Sequence, residues 1–328
     1  MKKLCIYTII IGISILINSC NSNKKNNIDG FAIGTYYSIS YMGKENKTLQ
    51  YPIDSIFNLY SSMFSVFDTN SLISKINNNQ TTEINEDFKS IFLVAQEISS
   101  LTEGAFDITV APLVNLWGFG KEEKKDPTQK EIDSVIKIIG YQKLSLENNH
   151  IVKENLFIQL NFNAIAKGYI VDKIAVFLSS QGYSDYLVDV GGEVFACNKN
   201  QNKWKVGIQI PTKHADDKSE TDYVFYLNNK AVATSGNYRN YYEKDGERFS
   251  HIINPLTGKP EQNKLLSVTV LADNCTYADA LATAFMIMDI DKSLQFLASH
   301  PEYAAYFIYN ENNSYKHIKT ANFPDKIN

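Results

Sequence analysis

Apolar residues recur along this chain at two spacings, and the change from one to the other predicts a domain that mixes helices with strands. Residues 53–64, 87–101, 128–139 and 165–180 carry apolar side chains three and four positions apart, as amphipathic helices do. In the last of these Ile170, Ile174, Phe177 and Leu178 share a face, and Gly182 stops the helix. Runs rich in β-branched and aromatic residues at 31–41, 186–190, 204–210, 223–227, 231–234, 248–253 and 266–272 predict strands. Residues 144–160 predict a hairpin turning at Asn148 and Asn149. Gly104, Pro112, Gly118 and Gly120 punctuate 102–120 and predict a loop. Two helices at 277–288 and 292–299 precede a last strand near 304–309. Strands and helices interleave without a strict βαβ rhythm, so the expected class is α+β. No internal repeat or Pro-rich linker divides the domain.

The first residues follow another pattern. Lys2 and Lys3 precede an apolar stretch over 4–17, and Asn18, Ser19 and Cys20 follow. This is the layout of an export leader, short for a membrane-spanning helix. A small residue directly before a cysteine resembles the lipobox of bacterial lipoproteins. The resemblance implies a leader over 1–19, lipid on Cys20, and a chain anchored to a membrane on the periplasmic or extracytoplasmic side. A polar tether is expected over 20–29 and the folded domain over 30–328.

The 328 residues are 44% hydrophobic, enough for a substantial core, and the formal charge of -4 argues against a nucleic-acid partner. With Cys5 in the leader and Cys20 lipidated, Cys197 and Cys275 remain. They match no metal-binding spacing and are expected as two separate buried thiols.

Three segments carry candidate chemistry. In NFNAIAKGYIVDK (161–173) a helix start adjoins Lys167, a combination that attracts anions such as phosphate. Asp172, further along, suits a ribose or adenine, or a surface ion pair. In TYADALATAF (276–285) Asp279 and Thr283 stand four residues apart and stack a carboxylate on a hydroxyl, donors that suit Mg²⁺. The bland alternative is an Ala-rich packing helix whose Asp279 favours the positive helix start. In SHIINPLTGKP (250–260) His251 lies at a strand edge, where an imidazole can move a proton near neutral pH. Beside it ATSGNYRNYYEKDGERF (233–249) offers Arg239 and a turn at Asp245 and Gly246, and VDVGGEV (188–194) brings two glycines to a strand end.

Taken in order, the runs IGTYYSI (33–39), FSVFDTNSLISKIN (64–77), TEGAFDITVAPLVNLWGFG (102–120), NAIAKGYIVD (163–172), YLVDVGGEV (186–194), ATSGNYRNYYEKDGERFSHIINPLTG (233–258) and TYADALATA (276–284) resemble the ApbE family of FAD:protein FMN transferases. The resemblance covers nearly all of the chain after the leader. It implies an α+β domain of mixed and antiparallel sheets with packed helices and FAD in a central cleft. It further implies Mg²⁺-dependent transfer of FMN to a Thr or Ser hydroxyl of an acceptor protein, with AMP released.

Carried over residue by residue, the metal ligands are the carbonyl of Ala164 and the side chains of Asp279 and Thr283. Lys167 meets the FAD phosphates, Asp172 lies near the adenosine end, and Ala105, Phe106, Asp107 and Ile253 run along the cofactor. His251 is the catalytic base. Phe67 stands where the family often has a tyrosine over the flavin, which keeps stacking and loses a hydroxyl. Ile33 replaces a frequent methionine. Exported flavoproteins such as redox-pump subunits are the implied acceptors. Two alternatives remain open at this point: a Mg²⁺-dependent FAD pyrophosphatase, and a non-catalytic flavin-binding lipoprotein.

Overall fold

The run expected as one strand at 31–41 is a hairpin. β1 (Lys25–Ala32) pairs antiparallel with β2 (Thr35–Met42), and the chain reverses at Ile33 and Gly34, whose φ angles are 46° and 79°. Two successive positive φ values match the twist of the strands they join. In this computed structural model the described residues are 24–120, 126–199, 203–210, 221–237, 241–244, 247–312 and 314–327. The leader, Cys20, Arg239 and the turn residues Asp245 and Gly246 lie outside them. The tether expected over 20–29 is corrected at its far end, because Lys25 already pairs with Met42.

The chain continues through α1 (Gln50–Phe64), α2 (Leu72–Asn77), α3 (Glu86–Leu101), α4 (Ala111–Leu116) and α5 (Gln129–Ile136). A small hairpin of β3 (Leu144–Glu147) and β4 (His150–Lys153) turns at Asn148 and Asn149 as expected, both with positive φ. Next come α6 (Ala166–Ser180), β5 (Asp185–Val190), β6 (Glu193–Asn198), β7 (Trp204–Gln209), β8 (Thr221–Leu227), β9 (Lys230–Gly236), β10 (Tyr241–Lys244), β11 (Glu247–Ser250) and β12 (Leu265–Ala272). The chain ends in α7 (Cys275–Ser299), β13 (Ala304–Glu311) and β14 (Ser314–Lys319). α7 breaks at Asp289, with φ 66° and ψ 178°, which is where the sequence divides the two expected helices. The Asp289 carboxylate caps the second piece by accepting from the Lys292 amide.

Eight strands form one antiparallel sheet in the order β1-β2-β5-β6-β9-β12-β13-β14. Side chains alternate across it. Ala231, Ala233, Val268, Val270, Ala305 and Phe307 face the core under the helices, where α6 packs on β5 and β6 and α7 on β9 and β12. Their neighbours Val232, Leu271, Ala304, Tyr306 and Ile308 face the opposite way and pack with Trp204, Ile208 and Phe225 of the two-stranded ribbon β7–β8. A sheet covered on both faces favours apolar residues on both, and β12 reads as LLSVTVLA, apolar at six of its eight positions. Each fully buried Ile, Val or Phe in these layers contributes about 1.5–3 kcal/mol. The class is α+β, as expected.

α4 and α2 were not expected. Pro112 occupies the first turn of α4, where its missing N–H is not needed, so the residue read as a breaker is a starter. α4 is held by burial of Leu113 and Trp117 against Ile132 and Ile253, and the Trp117 indole donates to the Gly258 carbonyl at 2.7 Å. Cys197 and Cys275 are separate buried thiols.

Candidate active site

A cavity of about 1390 Å³ opens around one end of the large sheet. Four local features build it. The β5–β6 turn at Gly191 and Gly192 lies next to Thr35, so closely that a Cβ on Gly191 would sit 2.7 Å from the Thr35 hydroxyl. The start of α6, the middle of α7 and the last residues of β9 complete the end wall. Ala164, Lys167, Asp279, Thr283 and His251 all line this one space, so residues up to 119 positions apart in the chain come together as the motifs require.

Asp279 is 5% exposed at its side chain. Its Oδ2 accepts the Gly168 amide at 3.0 Å, and its Oδ1 stands 3.8 Å from the Lys167 ammonium. Thr283, one helical turn on, exchanges a hydrogen bond with the Ser235 hydroxyl at 3.2 Å. Lys167 lies 2.5 Å from Glu193 Oε1. Burial alone would lower the lysine's pKa, but the Asp279 and Glu193 carboxylates outweigh it and hold the ammonium above its ordinary range. Glu193 is pushed up by burial, with the Asp279 charge adding to the push and Lys167 opposing it.

Ala105, Phe106, Asp107 and Ile253 also line the cavity. Asp107 organises its own segment, accepting from the Thr109 amide and hydroxyl at 2.7 Å each and from the Tyr141 amide at 2.9 Å. Burial still raises its pKa against these bonds.

Three candidates are not brought to the cavity wall. Asp172 accepts from the amides of Cys275 and Thr276 at 2.8 Å each and from the Thr276 hydroxyl at 2.5 Å. It caps the positive end of α7, and it is not among the residues that line the cavity. Ile33 sits at the tip of the β1–β2 turn, 36% exposed, and Phe67 is 64% exposed after α1. Neither is among the lining residues. The expected anion site at the start of α6 is also narrower than the sequence suggests, since the Ala166 amide bonds the Phe162 carbonyl and the Gly168 amide bonds Asp279. The charge there comes from the Lys167 side chain.

Glu193 and Ser235 were missed. Glu193 lies inside the quoted GGEV run, where two glycines drew attention to the backbone and not to the acid after them. Period-two alternation would have placed it: Val194 faces the ribbon, so Glu193 faces α6 and α7. Asp189, whose Oδ1 accepts the Gly192 amide at 3.0 Å, was also missed and lines the cavity.

Among the described residues no three His, Cys, Asp or Glu side chains gather to hold a metal ion. The expected donors are all oxygens: the Asp279 carboxylate, the Thr283 hydroxyl and the Ala164 segment on the same wall. That set fits Mg²⁺, which binds through few protein groups and keeps positions open for phosphate oxygens.

Comparison with known proteins identifies the family. Residues 33–307 match the model of the ApbE family. The chain is 37% identical to the FAD:protein FMN transferase of Vibrio cholerae over 278 residues, covering 81% of this chain and 82% of that protein. It is 33% identical to the enzyme of the same description from Haemophilus influenzae, over 96% of this chain and 95% of that one. Among solved structures it resembles the flavin transferase ApbE from Vibrio cholerae with a TM-score of 0.82 and 33% identity, over 91% of this chain and 97% of that chain. The apo flavinyl transferase ApbE of Pseudomonas stutzeri is similar, with a TM-score of 0.82 and 29% identity over 91% and 95% of the two chains.

Proposed function

The chain belongs to the ApbE family, and on that premise we propose that it is an FAD:protein FMN transferase that moves FMN from FAD onto a Ser or Thr hydroxyl of an acceptor protein. The observation that carries this reading is the shared cavity of Ala164, Lys167, Asp279, Thr283 and His251. The acceptor hydroxyl oxygen forms a bond to the phosphorus on the FMN side of the diphosphate, the bond from that phosphorus to the AMP oxygen breaks, and AMP leaves. His251 takes the hydroxyl proton as the new bond forms, since a neutral hydroxyl is a weak nucleophile. Lys167 supplies positive charge to the diphosphate oxygens in a partly buried setting, where charge is worth more than in water. Asp279, Thr283 and the Ala164 carbonyl would hold Mg²⁺, which when bound would supply charge neutralisation to the diphosphate. Ala105, Phe106 and Ile253 offer an apolar wall to a flat ring system.

The same reading extends to place and partner. Acylated Cys20 anchors the domain to a membrane on the extracytoplasmic side, where exported flavoproteins such as redox-pump subunits are the acceptors.

The test incubates the purified domain with FAD, Mg²⁺ and a panel of exported redox-pump subunits, and reads in-gel flavin fluorescence together with AMP. Fluorescent acceptor with stoichiometric AMP is the expected result. AMP and free FMN without labelled protein would replace transfer by hydrolysis, and bound FAD with neither product would leave a binding protein.

A further inference from the structure

Lys167 faces two carboxylates and is held by only one of them. Its ammonium lies 2.5 Å from Glu193 Oε1 and 3.8 Å from Asp279 Oδ1, and the longer distance is beyond hydrogen-bonding range. Asp279 is otherwise fixed through Oδ2 by the Gly168 amide. Its Oδ1 is therefore the oxygen left for a cation. Glu193 is itself 2% exposed, and its Oε2 is shut off from solvent with no hydrogen-bond partner. Burying a carboxylate this incompletely satisfied is costly unless its charge has a task.

We propose that Glu193 is a positioning residue that draws the Lys167 ammonium away from Asp279 and so keeps Asp279 Oδ1 open to the divalent cation. The inference rests on the metal-dependent reading above and deepens it. Without Glu193, the nearest anion for a partly buried ammonium is Asp279. Lys167 then closes the gap, neutralises the carboxylate and competes with the cation for it. Glu193 thereby sets cation affinity without touching the cation, and its effect runs wholly through Lys167.

That routing separates the proposal from a role for Glu193 as a metal ligand. The experiment titrates Mn²⁺, read by electron paramagnetic resonance, into the protein without nucleotide, so that no diphosphate competes for the Lys167 ammonium. Glu193→Ala is expected to weaken Mn²⁺ binding by about tenfold. The double variant Glu193→Ala with Lys167→Met is expected to recover affinity to within about threefold of the unaltered protein, because the competitor has gone. Wild-type affinity in Glu193→Ala overturns the proposal. Failure of the double variant to recover also overturns it and makes Glu193 a ligand. If Glu193→Ala does not fold, Glu193→Gln keeps the volume, removes the charge and carries the same comparison.

The result is separable from the transferase reading. Mn²⁺ binding behaving as expected while no acceptor is labelled defeats that reading alone; labelled acceptor with an unrecovered double variant defeats this inference alone. No Mn²⁺ binding by the unaltered protein defeats the metal site and this inference together.

Discussion

A Cβ placed on Gly168 would stand 2.3 Å from the carbonyl oxygen of Cys275, so α6 and α7 meet at this point with no room for a side chain. The contact carries the site, because Lys167 precedes Gly168 and Asp279 lies one turn beyond Cys275. Gly168→Ala is expected to destabilise the domain by about 1–3 kcal/mol through overpacking. It should also loosen FAD binding by moving Lys167 relative to Asp279. Urea denaturation and a flavin titration check both, and an unchanged midpoint would mean that the two backbones are not in contact.

Asp172 tests capping against ligand binding. Its carboxylate accepts three hydrogen bonds at the start of α7. Asp172→Asn keeps the shape and loses charge and acceptor capacity, so about 1–2 kcal/mol of stability should go. The affinity for FAD should stay within about threefold, since a carboxylate committed to the cap and absent from the cavity wall makes no ligand contact. A large loss of affinity with stability intact would return Asp172 to the cofactor site.

His251→Ala is expected to keep FAD binding and to slow acceptor labelling by about 10²–10⁴, the usual range for loss of a general base. Single-turnover labelling at saturating FAD measures it. Near wild-type rates would remove His251 from proton transfer.

Asp279→Ala deletes the one carboxylate of the proposed metal set and also leaves the Gly168 amide without its acceptor. Labelling should fall by at least about a hundredfold and lose its response to added Mg²⁺. Stability should drop by about 1–3 kcal/mol from the unsatisfied amide. A variant that still responds to magnesium as before would place the ion elsewhere.

Asp87 supplies a pH dependence. Its Oδ1 takes the Lys173 ammonium at 2.7 Å and the Tyr169 hydroxyl at 3.0 Å, tying α3 to α6. Burial pushes the carboxyl up, but these partners outweigh it and leave the pKa below the ordinary value. A depressed carboxylate stabilises the fold above the unfolded-chain pKa, about 3.9, and the contribution is lost as pH falls through the lower folded value. Because both side chains are about a third exposed, about 0.5–1 kcal/mol is expected. Asp87→Asn should therefore be less stable than the unaltered protein at pH 7 and equal to it in strong acid, by thermal melts across that range.

Much of the architecture was legible in the sequence because it depends on local periodicity. α1, α3, α5 and α6 follow from apolar residues at helical spacing, the Asn148–Asn149 turn from residues that tolerate positive φ, and the break in α7 from the polar interval around Asp289. What escaped was held by contacts distant in sequence. α4 exists because Trp117 reaches Gly258, and β14, written SYKHIK, is a strand because β13 offers it an edge.

The site divides the same way. The sequence by itself determined which side chains exist to bind a cation, an anion and a proton, and the order of its motifs identified the family. Only the tertiary structure decided their employment: it set Asp172 to capping a helix, and it turned Glu193 toward Lys167. A carboxylate's role is fixed by which donors and charges lie within a few ångströms, and those neighbours come from segments that only folding brings together.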